Sequence, residues 1–475
     1  MRRAALLALF AALAACAPAS ASVVSFYAYV EPPGTSPEES CSRYFACPPS
    51  TVSVVDDRNE RNDLTFEFLP GNVVVHDAAA RVEAGSGCTN RSDGAVECPR
   101  AEFISVGAAG GDDRVVAPGA TITGGDGADD LTGRDLDGGP GDDTLRGDEA
   151  YNVFRAGPGA DVVEAGGGND VVLDDDGSVL SSDRLDGGEG LDTLRFTTRT
   201  GSVRADLGAV PQQAGEGGED NVVAGFESVS GGGGDDELLS PIGTYARVEL
   251  DGGDGDDRLV NRATAAEVLL FGEGGNDDIT GFDVDERIDG GTGDDVIDAG
   301  GGDDQVQGDA GANRIMGGDG DDTLAGSLGA DQISGGAGDD TVDASGGRDA
   351  IAGDAGNDRV DGGGSGDTIT GGAGDDGLNG GSGKDDVRGD EGADRVFGGR
   401  GDDAVDGGEG DDVVSGGKGR DLIKGGFGRD RLSARDRAAD DLDCGPARDT
   451  ATADRRERAE RCEKVSRPKS RRRRR

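Results

Sequence analysis

Carboxylates stand at Asp322, Asp331, Asp340 and Asp349, one every nine residues, inside the glycine-rich stretch GGDGDDTLAGSLGADQISGGAGDDTVDASGGRD (residues 317–349). Like charges at a fixed step repel unless something lies between them. A hard divalent cation suits that place, because it takes six to eight oxygens and accepts carboxylates together with backbone carbonyls. The step is not local. On the template GGxGxDxUx, with U a large apolar residue, the register is unbroken from Gly290 to Leu432, with sixteen sixth positions from 295 to 430. They are Asp295, Asp304, Asn313, Asp322, Asp331, Asp340, Asp349, Asp358, Asp367, Asp376, Asp385, Asp394, Asp403, Asp412, Asp421 and Asp430. Position four is Gly except at Ser365, and position eight is always Val, Ile or Leu, so three positions keep phase together. Upstream the unit recurs with insertions, its sixth positions falling at Asp113, Asp129, Asp143, Asp161, Asp170, Asp192, Asp236, Asp257 and Asp277. The candidate metal ligands are the aspartates of the regular array together with Asp129, Asp143, Asp161, Asp170, Asp192, Asp257 and Asp277.

The elements that must position these carboxylates follow from the other places in the repeat. Glycines at positions one, two and four permit positive φ and tight turning. Positions seven to nine, such as Thr323-Leu324-Ala325, read as a three-residue strand with one side chain inward. Two repeats then close one coil with a strand on each side, and stacked coils give two parallel sheets. The fold class is all-β, a parallel β-roll or β-helix solenoid with small disulfide-pinned end caps. The gaps at 195–230 and 239–250 keep Val/Leu content and read as further strands out of strict phase. Residues 22–106 alternate like β structure and read as an N-terminal cap, 107–294 as the interrupted array, 295–432 as the regular one, 433–465 as a C-terminal cap and 466–475 as a basic tail. A solenoid needs such end pieces to cover its exposed sheet edges.

Composition agrees with a repeat array and not with an oily globule. The 475 residues carry 97 Asp+Glu against 47 Lys+Arg, a net charge of -50, with 90 Gly, 33% apolar residues, 4% aromatics and no Trp. Such a mix borders on disorder unless the acid is neutralised. Residues 1–21 read as an export signal: basic MRR, an apolar run from Ala4 to Ala15 and small residues to Ala21. Leu13-Ala14-Ala15-Cys16 also fits a lipoprotein box in which Cys16 becomes the lipidated first residue. Six further cysteines fall into close pairs, and the simplest reading in an oxidising compartment is Cys41 with Cys47, Cys88 with Cys98 and Cys444 with Cys462, among 15 pairings that six cysteines allow. Zinc competes for them, but CxxC and HxxxH spacings are absent and His76 is the only histidine. No HExxH, GxSxG or Walker loop is present, so His76 reads as a strand residue and the chain as non-catalytic. Nucleic acid is disfavoured because no basic stripe with interleaved aromatics exists on this acidic body. The exception in charge is the tail: residues 454–475 hold 12 positive and 4 negative charges, which fits an anionic cell-wall polymer, a membrane surface or the chain's own acidic body.

GGDGDDTLA (317–325), GGAGDDTVD (335–343) and GGEGDDVVS (407–415) resemble the haemolysin-type, or RTX, calcium-binding nonapeptide. The resemblance covers residues 107–432 or so. It implies a parallel β-roll with calcium ions between stacked turns, Asp322 sharing an ion with Asp340 and Asp331 with Asp349, helped by glycine-loop carbonyls, in two rows along opposite edges. Asn313 lacks the charge and Ser365 lacks the glycine, so ions there are expected to be weak or missing. The interrupted copies before Asp295 lack neighbours at the regular spacing, which puts full occupancy there in question. The segment 441–465 resembles an end piece found on secreted bacterial proteins of this repeat type. The expected function is that of an exported calcium-binding β-roll with a structural or adhesive role at the cell surface; the alternative is a secreted hydrolase whose active site rides unrecognised on the scaffold.

Overall fold

The computed structural model describes residues 23–25, 51–55, 63–69, 72–77, 89–91, 95–99, 103–108, 110–174, 183–196, 198–208, 212–216, 221–455 and 457–467. The export signal, Cys16, Cys41, Cys47 and Cys88 lie outside them, as does the side chain of Cys98 and the end of the basic tail. Every regular element among the described residues is a β-strand. The chain forms two compact units, one from residues 1–198 and 211–226, the other from 199–210 and 227–475.

In the first unit the N-terminal segment starts as antiparallel structure and ends as a parallel edge. Asp63–Leu69 pairs antiparallel with Asn72–Asp77, and Asn72–Asp77 with Val96–Pro99. The same Asp63–Leu69 then runs parallel to Arg114–Val116, Leu64 opposite Val115, so the cap passes directly into the first coil. His76 sits in this hairpin opposite Thr65, the strand position expected for it. Thereafter strands stack parallel in two series, Asp130–Thr132 on Thr144–Arg146 on Val162–Glu164 in one and Asp135–Asp137 on Val153–Arg155 on Val171–Leu173 in the other.

The second unit repeats the pattern with greater regularity. Gln305–Gln307, Thr323–Ala325, Thr341–Asp343 and Arg359–Asp361 are consecutive in one sheet, and Arg314–Asp319, Gln332–Ala337 and Ala350–Ala355 in the other. Leu324 pairs with Val342, and Ile333 with Ile351, eighteen residues on. Only the middle residue of each short strand is buried, because side chains alternate along a strand. The core is therefore a ladder one side chain deep from each sheet, with Ile315, Leu324, Val342, Ile369 and Val414 at most 1% exposed.

The two sequence gaps prove to be strands. Val203–Asp206 pairs parallel with Glu237–Leu239, while Gly243–Tyr245 pairs with Ala263–Ala265 in a two-stranded sheet of its own. Changes in coil length cost no register: Leu131 lies opposite Leu145 at a separation of 14, four short of the regular eighteen, and Val163 opposite Leu185 at 22, four beyond it.

At the C-terminus Cys444 and Cys462 are joined, Cα atoms 5.1 Å apart, beside the paired strands Asp441–Asp443 and Arg458–Glu460. The closed loop of 18 residues restricts the unfolded chain. Cys444→Ser is expected to weaken this end by about 3 kcal/mol, read as faster amide exchange at Leu442 and Ala459 with exchange at Ile333 unchanged.

Candidate metal centre

Each coil turns two corners, and each corner of the regular array carries one sixth-position residue that is almost wholly buried, Asp322 and Asp340 being 1% exposed. Aspartate is the right length for this corner. The Asp322 N–H donates to Asp340 Oδ1 at 2.8 Å, the Asp340 N–H to Asp358 Oδ1 at 2.9 Å and the Asp331 N–H to Asp349 Oδ1 at 2.9 Å. The carbonyl of Asp322 in turn accepts the Thr341 N–H at 2.8 Å. Repeats eighteen residues apart are thus tied head to tail, and since successive repeats alternate corners, two columns result. One runs through Asp304, Asp322, Asp340, Asp358, Asp376, Asp394, Asp412 and Asp430, the other through Asp295, Asn313, Asp331, Asp349, Asp367, Asp385, Asp403 and Asp421. The candidates of the interrupted array join columns of the same kind, Asp129 donating to Asp143, Asp143 to Asp161, Asp170 to Asp192, and Asp257 to Asp277.

These bonds use one carboxylate oxygen and leave the other. Oδ2 of Asp304, Asp322, Asp331, Asp340, Asp358 and their equivalents through Asp430 is buried and accepts no hydrogen bond among the described residues. Asn313 shows what the neighbourhood offers. Its Nδ2, in the place of Oδ2, donates at 2.9 Å to the carbonyl of Gly308, the first glycine of its own turn. In an aspartate repeat the same place holds a carboxyl oxygen, which once ionised brings no hydrogen to the neighbouring main-chain carbonyls. Around Asp322 the space is tight: a Cβ on Gly317 would lie 2.3 Å from Asp322 Oδ2 and 2.5 Å from the Gly335 carbonyl oxygen, so only glycine leaves room for these oxygens to gather. Buried acceptors without donors are costly, and a hard cation satisfies several at once. No group of three or more Asp, Glu, His or Cys side chains converges among the described residues. A cation at these corners must therefore draw much of its shell from backbone carbonyls, with one Oδ2 from each repeat.

The turn itself needs positive φ, 117° at Gly318 and 137° at Gly320. Ser365 replaces the fourth-position glycine and is held at 92°, a conformation costly for a residue with a side chain.

Burial pushes the free carboxyls upward. Asp322 rises to about 6 and Asp340 to about 7, burial outweighing the N–H of the preceding repeat, with neighbouring aspartates adding to the rise. In the interrupted array Asp143 rises to about 7 and Asp161 to about 8 for the same reasons.

Several members of the columns escaped the sequence reading. Glu286 precedes Asp304 in its column, its N–H donating to Asp304 Oδ1 at 2.8 Å; it lies in FDVDER (282–287), which lacks the second- and fourth-position glycines of the template, and this hid it. Its carboxyl is pushed up by burial and accepts from Asn261 Nδ2 at 2.8 Å. Asp183 receives the Asp161 N–H from within an insertion, and Asp440 and Asp449 extend the columns beyond Asp430 at a spacing of nineteen. Asp113 and Asp236, on the template but outside the candidate set, occupy the same positions, the N–H of each donating to Asp129 and Asp257. A second column lies at position five, where the bonds run the other way: the Asp303, Asp321, Asp339 and Asn357 N–H groups donate back to Asp285, Asp303, Asp321 and Asp339, all exposed. Its signal in the sequence is the paired acid of GDD.

A parallel β-solenoid whose corners present buried, half-used carboxylates beside the glycines of its turns has the form of a metal-binding repeat. Residues 137–172 and overlapping stretches from 280 to 436 match the RTX calcium-binding nonapeptide repeat, so these stretches are repeats of that kind. The chain matches no curated protein.

The Asn313 geometry makes a reciprocal pair of predictions. Asp340→Asn should supply its own donor, removing calcium from that corner while leaving the coil folded; Asn313→Asp should add capacity. Calorimetric stoichiometry should fall with the first and rise with the second. A pH prediction follows from the raised carboxyls. Without metal, their stabilising contribution is present at low pH and lost as pH climbs through about 6 to 7. The chelated chain should keep more β circular dichroism at pH 5 than at pH 8, and calcium should abolish the difference.

Proposed function

We propose that this protein is an exported, non-catalytic scaffold that folds or stiffens when it meets calcium outside the cell, where it serves a structural or adhesive role. The observation that carries this reading is the contrast at one position: the Asn313 amide bonds to its turn carbonyl, while Asp322 and its equivalents bring an unpaired oxygen to that place. The export-type N-terminus and the calcium repeat support the outside location, since extracellular modules bind calcium at about 0.1 to 1 mM, far above cytosolic supply. The ions would be held by the Oδ2 atoms of the two columns with carbonyls of the glycine turns, and would convert acceptor–acceptor contacts into coordination. Each site at tenfold its Kd would contribute about 1.4 kcal/mol, so many weak sites add up to a cooperative switch. The acidic carboxyls are committed to the columns, which argues for a scaffold role over hydrolysis.

Circular dichroism and thermal melting with calcium, magnesium and chelator test this. Calcium should raise the β signal and the Tm steeply with concentration, magnesium much less. A chain that melts at the same temperature with and without calcium would refute the proposal.

A further inference from the structure

Against a net charge of -50, the second unit carries a groove of about 770 Å³ lined by Arg400, Lys418 and Arg435. Arg400 and Lys418 occupy the third position of consecutive turns on one edge and lie opposite each other in register, one inter-strand step of about 4.8 Å apart. All three are exposed, and none has an ion pair or side-chain hydrogen bond with a described residue. The groove's one acid, Asp436, accepts the Gly419 N–H at 2.8 Å and the Ala438 N–H at 2.6 Å, so its carboxylate serves the backbone. The opposite edge differs: the same turn position there holds Glu391 and Glu409, also in register. Stacked like charges are unfavourable, and in a chain this acidic they would be expected to find partners within it. They stay clustered and unpaired on one edge.

We propose that this groove binds a linear acidic polysaccharide that carries carboxylates along its length. Gly381, Gly399 and Gly417 line the groove without side chains, and a Cβ on Gly417 would lie 2.1 Å from the Gly399 carbonyl oxygen, so that position stays open to a sugar ring. Ser415 and Ser433 stand in register along the wall and offer hydroxyls suited to sugar hydroxyls. The lining contains no aromatic or large apolar residue, which disfavours stacked nucleobases, acyl chains and a protein hot spot. Repeated cations at the coil step supply the charge, and the serines and open glycine positions supply the fit to sugar. The proposal rests on the extracellular reading above only for where such a polymer is met.

The test uses the full chain in calcium and a fluorescent short oligogalacturonate, followed by polarisation. Wild-type protein should bind, more weakly as NaCl rises. Arg400→Glu with Lys418→Glu should weaken binding on the order of tenfold, and Arg435→Gln alone should weaken it less. Glu391→Gln with Glu409→Gln, on the opposite edge, should leave it unchanged. Calcium stoichiometry and circular dichroism, run on every variant, should match wild type; a double variant that loses its fold transfers the decision to Arg435→Gln. No binding by wild type, or equal binding by the charge-reversed and wild-type proteins, would overturn the groove, the latter pointing to calcium bridging of carboxylates. Polyphosphate that displaces the sugar at equal or lower charge concentration would overturn the polysaccharide assignment. Because calcium count and melting are measured alongside, failure of the groove is distinguishable from failure of the scaffold reading.

Discussion

An oxygen facing an oxygen, in a place water does not reach, is the constraint on which this structure turns. The N–H ladder through Oδ1 fixes each aspartate so firmly that its other oxygen has no freedom to seek a donor elsewhere. Rotation of the side chain would break the bond to the previous coil. The fold therefore holds one strong hydrogen bond and one unmet demand in the same carboxylate, and the demand recurs at nearly every corner.

The thinness of the core explains why this matters. Most strands of the regular array contribute one large buried apolar side chain, such as Leu324 or Ile333, so the core between the sheets is thin. In such a solenoid the corners decide whether the coils stay stacked. Opposed ladders reinforce them: position six donates forward along the chain and position five backward, so adjacent peptide N–H groups are both satisfied by side chains of neighbouring coils. Where the acid gives way, the replacement solves the same problem without charge. Asn313 bonds its own turn, and Asn261 links Ser240 Oγ at 3.0 Å to Glu286 Oε1 at 2.8 Å in a neutral relay.

Much of this was legible because the repeat is short and strict. The phase of Asp, Gly and Val/Ile/Leu places one residue at a corner and another in the core with no knowledge of tertiary contacts, and both appear where the period put them. The C-terminal disulfide followed from close spacing near an end. What stayed hidden did so for identifiable reasons. Glu286 follows a turn that keeps only the first of its template glycines, and Asp183 lies within an insertion that is off the template. The interrupted copies looked isolated because sequence distance was taken for spatial distance, whereas separations of 14 and 22 residues close the same coil. Position five was obscured by abundance: one more Asp in an acidic chain carries little information until its N–H partner is seen. The basic groove needed three residues, Arg400, Lys418 and Arg435, to be gathered from different coils.

The alternation of corners sets how such a chain can lengthen or shorten. Duplicating a single nonapeptide would send every later repeat to the opposite side of the coil, exchanging Arg400 and Lys418 with the side now held by Glu391 and Glu409 and leaving Asn313 in a new neighbourhood. Duplicating eighteen residues would preserve all of it. Surface identity in this architecture is inherited by parity, and repeats must be added in pairs if the two faces are to be kept.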